Sequence, residues 1–301
     1  MKRIAAALPV VGVLFVAACG GDDETGAPRP QVVASFFPIA DAAQAVGGDL
    51  VDVSSLTPAG TEPHDLELTT RQVDRLQDAA LVLYLDQGFQ PAVEEIAEDR
   101  DGPSVDLLAG LPLVAEAGEQ DDDEDGALDP HFWLDPTLMS VAVDEIEQAL
   151  VEVAPEHAAT FAANADEYRA RLAELDAEFQ SALAKCERRV FVTSHAAFSY
   201  LARRYDLEQL PIAGLSPESE PSPQRLDELA DLIVADGVTT VFYEALVDPD
   251  VAETLAREAG VKTAVLNPIE GLSDEDVEAG KDYVTVMRDN LAALTAALGC
   301  K

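Results

Sequence analysis

The chain has few basic residues: 19 lysines and arginines stand against 58 aspartates and glutamates, and the formal net charge is −39 at pH 7. This scarcity argues against nucleic acid as a partner, because phosphate backbones are bound by basic surfaces. Apolar residues make up 48% of the 301 residues, so the chain is not disordered despite its charge. Its length favours two domains with modest cores.

Long apolar runs are also scarce, and the only one opens the chain. The stretch MKRIAAALPVVGVLFVAA has a basic start, an apolar middle and a small-residue end, which predicts a signal peptide over residues 1–18 and an extracytoplasmic protein. VAAC resembles a bacterial lipobox and makes Cys19 the predicted lipidation site; the alternative is an ordinary signal peptide followed by an unrelated cysteine. Residues 19–30, rich in Gly, Asp and Pro, then form a solvated tether to the membrane.

Cysteine is rare as well, with three in the chain. Besides Cys19 there are Cys186 and Cys300, and an oxidising compartment outside the membrane favours a disulfide between them. Two separate buried thiols are the alternative. Common catalytic motifs are missing, since the sequence contains neither G-x-x-x-x-G-K-[ST] for phosphates nor the G-x-S-x-G nucleophile elbow.

Short β-rich runs alternate with helical patterns in two series. The first begins at QVVASFF and the second at RRVFVTS. Such alternation is typical of parallel sheets flanked by helices, so the predicted fold class is α/β with two lobes. The predicted boundaries are 31–155 for the N-terminal lobe and 186–301 for the C-terminal lobe.

One long helix is predicted between the lobes, over residues 156–185. The stretch is rich in Ala, Leu, Glu and Arg and contains no glycine, and it would span about 45 Å if helical throughout. A helix of that length suits a bridge between two lobes. Two helices broken near Asn164 are the alternative.

Only four histidines occur, and three of them stand near a loop or the carboxyl end of a predicted strand: His64, His131 and His195. Ligands bind at that edge of open α/β sheets. Three imidazoles suit zinc, and their wide spacing requires both lobes to bring them together. His157 lacks this context and is predicted to face solvent. Asp129 and Asp135 lie within the DPHFWLDP stretch; capping of the following helix is the favoured role for them, and orientation of the rings is the alternative.

These segments resemble the metal-binding receptors of zinc and manganese ABC importers, a family with a rigid helix between two α/β lobes. The resemblance rests on AGTEPHDLELTTRQVDRLQDAALVLY, DPHFWLDPTLMSVAVDEI, FVTSHAAFSYLARRY, GLSPESEPSP and VFYEALVDP, and it covers nearly everything after the tether. It implies that His64, His131 and His195 each donate a ring nitrogen to one metal ion. It also implies an ABC permease and its ATPase as partners, with the receptor acting as a monomer.

The fourth ligand stays open at this point. Many relatives carry an aspartate where this chain has Asn267, and an amide is a poor zinc ligand. Water, Glu62 and Glu270 are the other choices. Manganese prefers oxygen ligands, so three histidines without a certain carboxylate favour Zn²⁺ over Mn²⁺. Relatives often have a histidine-rich loop where residues 116–129 read EAGEQDDDEDGALD, which is expected to be a solvated acidic loop or a weak collector of cations.

The predicted function is therefore a lipid-anchored receptor that captures zinc between two lobes and delivers it to a permease, and not an enzyme. A manganese receptor, a metal-dependent adhesin or sensor of the same family, and a zinc hydrolase with an open coordination position are the alternatives.

Overall fold

Two four-stranded parallel sheets form the framework of the computed structural model, which describes residues 28–114 and 128–301. The predicted signal peptide, Cys19, the tether up to residue 27 and most of the acidic stretch lie outside these ranges. Within them, no helix combines the length and apolar character needed to cross a membrane.

The first sheet has the strand order β2-β1-β3-β4, and all its neighbouring pairs are parallel. Its strands are β1 (Gln31–Ala34), β2 (Asp52–Ser55), β3 (Leu81–Tyr84) and β4 (Ser104–Asp106). Helices α1 (Phe37–Gly47), α2 (Thr70–Asp78), α3 (Pro91–Asp99) and α4 (Pro136–Val153) accompany it. β3 lies inside the sheet and every residue in it is buried, which explains why an unbroken apolar run is suited to this position. These elements are called the first lobe below.

The bridging helix is continuous. α5 (Ala158–Leu183) has 26 residues, and a single 3₁₀ turn (Pro155–His157) precedes it. The alternative of two helices broken near Asn164 is wrong: helical structure runs through that residue, whose Nδ2 donates to the carbonyl of Val46 in α1 at 2.9 Å. The helix packs against α1 and α4, and its most buried side chains include Phe161 and Phe179.

The second sheet repeats the arrangement with the order β6-β5-β7-β8. Its strands are β5 (Val190–Thr193), β6 (Glu208–Pro211), β7 (Thr240–Tyr243) and β8 (Lys262–Val265). The helices of this second lobe are α6 (Ser199–Arg204), α7 (Pro223–Ala235), α8 (Asp250–Ala259), α9 (Asp274–Glu278) and α10 (Tyr283–Leu298). α10 packs against α5 and so joins the second lobe to the bridging helix. The predicted two-lobe α/β architecture with a long linking helix is confirmed.

Local sequence explains the helix starts that matter for the site. Asp135 precedes α4, and its Oδ1 accepts the backbone N–H of Thr137 at 2.8 Å, which is the capping role expected for it. Thr69 and Gln72 form a reciprocal capping box at the start of α2. Both helices therefore begin at defined positions, and the loops that lead into them carry two of the three histidines.

Candidate metal centre

Four side chains from both lobes converge where the two sheets present the carboxyl ends of their strands. His64 lies in the loop between β2 and α2, and His131 lies in the segment that leads to α4. His195 follows β5 and Glu270 follows β8. His131 and His195 are fully buried, and Glu270 is 2% exposed. The structure therefore brings the three predicted histidines together and adds a carboxylate from the second lobe.

Four of the six distances between these groups are close to the edges of a metal-ligand tetrahedron. Glu270 Oε1 lies 3.1 Å from His131 Nε2, 3.2 Å from His195 Nε2 and 3.5 Å from His64 Nε2. The Nε2 atoms of His131 and His195 are 3.4 Å apart. A tetrahedral zinc ion with bonds of about 2.0–2.1 Å places its ligand atoms roughly 3.3 Å from one another. All four ligand atoms lie within 4.8 Å of one another, so the group could hold a metal ion.

Two of the imidazole rings have a carboxylate next to Nδ1, on the side away from the converging Nε2 atoms. Asp129 Oδ1 lies 2.7 Å from His131 Nδ1 and also accepts the backbone N–H of His131 at 2.9 Å. Glu244, which follows β7, places Oε1 2.7 Å from His195 Nδ1. A carboxylate at Nδ1 keeps the proton there and leaves Nε2 free for a metal. The expectation that Asp129 caps the following helix is thus wrong: its side chain orients the His131 ring.

His64 is held by its backbone and by an aromatic ring. Its N–H donates to Glu62 Oε2 at 2.9 Å, and the edge of Phe89 lies against the imidazole with ring centroids 4.6 Å apart. His64 Nε2 is buried and has no hydrogen-bond partner among the described residues. An orphaned buried nitrogen costs free energy unless something binds it, and a metal ion at the centre of the four groups would do so.

An apolar wall closes one side of the site. Phe36, Phe89 and Trp133 are buried and touch one another, with ring centroids 4.7–5.5 Å apart. The Trp133 ring lies 5.1 Å from that of His131, and its Nε1 donates to the carbonyl of Pro268 in the second lobe at 2.7 Å. The wall excludes water on that side and strengthens the electrostatic interactions of the polar groups.

Burial and neighbouring charges shift the pKa values of the three histidines in different directions. Burial lowers the pKa of His131 and of His195, but the neighbouring carboxylates outweigh it, and the pKa is raised for His131 and raised well above its usual value for His195. Burial dominates at His64 and lowers its pKa. Burial also acts to raise the pKa of Glu270, yet the three imidazoles hold it well below its ordinary range. Glu270 is therefore an anion that attracts a proton or a cation to the Nε2 atoms.

The other protein candidates for the fourth position are not part of the group of four converging side chains. Asn267 Oδ1 accepts the backbone N–H of Ile269 at 2.7 Å. Asn267 is not one of the four converging groups. Glu62 accepts the His64 N–H, and burial together with the charge of Glu270 raises the pKa of Glu62 to about 8. Among the protein groups left open by the sequence, Glu270 is the one that joins the three imidazoles.

A cavity of about 340 Å³ adjoins the site at the junction of the lobes. Its lining includes Glu62 and Ser194 beside the metal centre, and Glu218 and Glu220 from the GLSPESEPSP segment. Elsewhere, Cys186 and Cys300 form the predicted disulfide, and His157 lies partly exposed against Phe161, away from the other histidines.

Comparison with known proteins places the chain among zinc-uptake components. Residues 32–297 match the family model described as ZnuA, zinc-uptake complex component A, periplasmic. The zinc-binding protein AdcA of Streptococcus pyogenes serotype M6 is 38% identical over 285 residues, covering 88% of this chain and 55% of the relative. The chain thus spans about half the length of that streptococcal protein.

Two further similarities extend over most of the chain. The high-affinity zinc uptake system protein ZnuA of Bacillus subtilis is 35% identical over 300 residues, covering 95% of this chain and 94% of the relative. The crystal structure of Zn(II)-bound AdcA from Streptococcus pneumoniae superposes with a TM-score of 0.77 at 34% identity, covering 90% of this chain and 58% of that one.

Proposed function

Because the chain belongs to the ZnuA family of zinc-uptake components, we propose that it is an extracytoplasmic receptor that captures Zn²⁺ between its lobes and delivers it to an ABC importer. In this proposal His64, His131 and His195 bind the ion through Nε2, and Glu270 binds it through Oε1. The observation that carries it is the placement of these four atoms within 4.8 Å of one another, in a largely buried site.

The donor set favours zinc over manganese. Three imidazole nitrogens and one carboxylate oxygen make a four-coordinate set, which is the usual number for zinc, whereas manganese prefers more ligands and mostly oxygen. Glu62, the other carboxylate considered from the sequence, accepts the His64 N–H through Oε2 and is not one of the four converging groups. The ion is cargo, so the site must bind it firmly and still release it.

The same geometry disfavours the hydrolase alternative. A catalytic zinc site keeps one position open for water beside three protein ligands. Here Glu270 Oε1 stands at hydrogen-bond distance from two of the imidazoles and occupies the place that a reactive water would need. We therefore propose a transport receptor that performs no chemistry on its ligand.

Membrane attachment and partners complete the proposal. Lipid at Cys19 and the tether that follows would hold the receptor on the outer side of the cytoplasmic membrane, where a permease with its ATPase receives the ion. What supports this is the lipobox-like VAAC motif together with the family of the chain.

Metal competition tests the function. Purified protein is stripped with a chelator, dialysed against equal concentrations of Zn²⁺ and Mn²⁺, and analysed for bound metal by mass spectrometry. We expect close to one zinc per chain. Alanine at His64, His131 or His195 should weaken zinc binding more than the roughly 10–100-fold typical of losing an outer-shell partner. His157→Ala is the matched control and should bind as the wild type does; preferential retention of manganese would overturn the assignment.

A further inference from the structure

The residue before Glu270 has an unusual backbone. Ile269 has a φ of +62°, in the left-handed region, and is fully buried. Branching at Cβ makes this conformation costly, and such outliers persist only where surrounding structure enforces them. Of the described residues other than glycine, only Gln87 and Asp206 share a positive φ. Ile269 is thus the one β-branched case, and it directly precedes the proposed fourth ligand.

Two asparagines enforce this conformation. Asn267 Oδ1 accepts the N–H of Ile269 at 2.7 Å. Asn290 of α10 fixes Asn267 in turn, because its Oδ1 accepts the Asn267 N–H at 2.8 Å and its Nδ2 donates to the Asn267 carbonyl at 2.6 Å. Asn267 is 7% exposed and Asn290 is 2% exposed, so water competes little for these hydrogen bonds.

The first lobe holds the same segment at both ends. Trp133 Nε1 donates to the carbonyl of Pro268 at 2.7 Å, and the N–H of Gly60 donates to the carbonyl of Leu272 at 2.8 Å. Gly271 lies close to the first lobe as well, since a Cβ on it would stand 3.3 Å from the carbonyl oxygen of Thr61. Residues 267–272 thus form an arch between two fixed points.

We propose that this arch, with Ile269 held left-handed by Asn267, is the device that aims Glu270 at the metal ion, and that Asn267 is a positioning residue for metal capture. The inference rests on the proposed function, because it concerns the fourth ligand of that same site. Without the Asn267 side chain, the Ile269 N–H loses its acceptor, and that hydrogen bond no longer offsets the cost of the left-handed conformation. Ile269 then relaxes, and the Glu270 carboxylate turns away from the three imidazoles.

Asn267→Ala is the direct test, with zinc affinity measured by chelator competition. We expect a loss of about 10–100-fold, as for other groups that orient metal ligands. Asn267→Asp retains an oxygen that accepts the Ile269 N–H and should recover most of the affinity. Asn164→Ala is the matched control: it also removes an asparagine hydrogen bond to a distant backbone group, and it should lower the melting temperature without changing affinity.

Substitution of the ligand itself separates positioning from general damage. In a Glu270→Ala background, Asn267→Ala should change zinc affinity by less than about twofold, because its effect passes through Glu270. The Co²⁺-loaded Asn267→Ala variant should show the visible absorption spectrum of Glu270→Ala rather than that of the wild type. Additive losses in the double variant, or a wild-type Co²⁺ spectrum in Asn267→Ala, would overturn the inference.

These outcomes are distinct from a failure of the proposed function. If the wild type did not bind zinc, or Glu270→Ala bound it equally well, the function or the ligand set would be wrong. If the wild type binds zinc and Glu270→Ala weakens binding while Asn267→Ala does not, the function stands and only the role of the arch is refuted.

Discussion

At the scale of single residues, the site depends on carboxylates that do not point at the metal position. Asp129 and Glu244 contact the Nδ1 atoms of His131 and His195, and each has a second oxygen that is buried without a partner among the described residues. Such charges are retained because they make the imidazoles better donors and fix the ring tautomer. We therefore expect zinc binding at the proposed site to depend on six side chains rather than four.

Glu244→Gln tests this role, since the amide has nearly the same shape but no charge. We expect zinc affinity to fall about 10–100-fold while the fold is kept. Chelator competition measures the affinity and circular dichroism checks the fold. Glu253→Gln, at an exposed position of α8, is the control and should leave affinity unchanged. Wild-type affinity in Glu244→Gln would show that the Nδ1 carboxylate is not needed.

Zinc capture should release protons and weaken as pH falls. The carboxylates raise the pKa of His131 and of His195 against the opposing effect of burial, so the free protein holds protons there that zinc must displace. Calorimetry in two buffers of different ionisation enthalpy at neutral pH measures this release. Observed binding enthalpies that are the same in both buffers would mean that no protons are released and would contradict the prediction.

The same two histidines affect the stability of the zinc-free protein. A raised pKa in the folded state stabilises the fold below the unfolded value of about 6.5, and that contribution is lost as the pH rises through the folded pKa. His64 acts in the opposite sense, because its pKa is lowered by burial.

Residues near the site differ in how well sequence could predict them. The three histidines could be predicted as ligands because each stands near the end of a strand or in a loop rich in proline and glycine, where parallel sheets bind ligands. Glu270 could only be one of several choices, since it meets His131 across 139 residues of chain. Glu244 was missed as a ring partner, and for Asp129 ring orientation was ranked below helix capping, because both roles depend on side-chain direction. The sequence feature that could have indicated the role of Glu244 is its position directly after β7.

At the scale of elements, the bridging helix was predictable because composition alone favours it. Its ends were placed within about two residues, which is the usual uncertainty for helix boundaries. The arch at 267–272 was not predictable, since a left-handed isoleucine runs against local preference and the hydrogen bonds that hold the arch come from distant residues such as Asn290 and Trp133. Local rules identify regular elements and fail where distant contacts override them.

The buried face of α5 should dominate its contribution to stability. Phe179 is fully buried and stacks on Tyr205 with ring centroids 5.0 Å apart. Phe179→Ala should lower the free energy of unfolding by about 3–5 kcal/mol, measured by denaturant titration of the zinc-free protein. The neighbouring Glu178→Ala, which removes an exposed ion pair with Arg288, should cost at most about 1 kcal/mol. Equal effects of the two variants would show that the helix is not held by its apolar face.

At the scale of the whole molecule, a single covalent link closes the second lobe. The disulfide joins Cys186, just after α5, to Cys300, just after α10, across a separation of 114 residues. By restricting the unfolded chain, such a link stabilises the folded state. It also links the C-terminal end of the bridging helix to the C-terminal end of α10, a few residues before β5 begins.

Removing that link should reduce stability without affecting capture. The double variant Cys186→Ser and Cys300→Ser should lose about 2–5 kcal/mol in free energy of unfolding. Denaturant titration measures the loss, and the wild type under strong reductant is the matched control. Zinc affinity should be unchanged because neither cysteine contacts the metal centre. A large loss of affinity would mean that the lobes move relative to each other when the link is absent.

The chain contains one tryptophan, and it is Trp133, fully buried beside His131 and hydrogen-bonded to the arch. The fluorescence of a buried indole responds to charge and polarity in its immediate surroundings. Exchange of a proton for a metal ion on the adjacent imidazole alters both. We therefore expect the fluorescence of Trp133 to change when zinc binds or leaves the cleft, so that both events can be followed in real time without an attached dye.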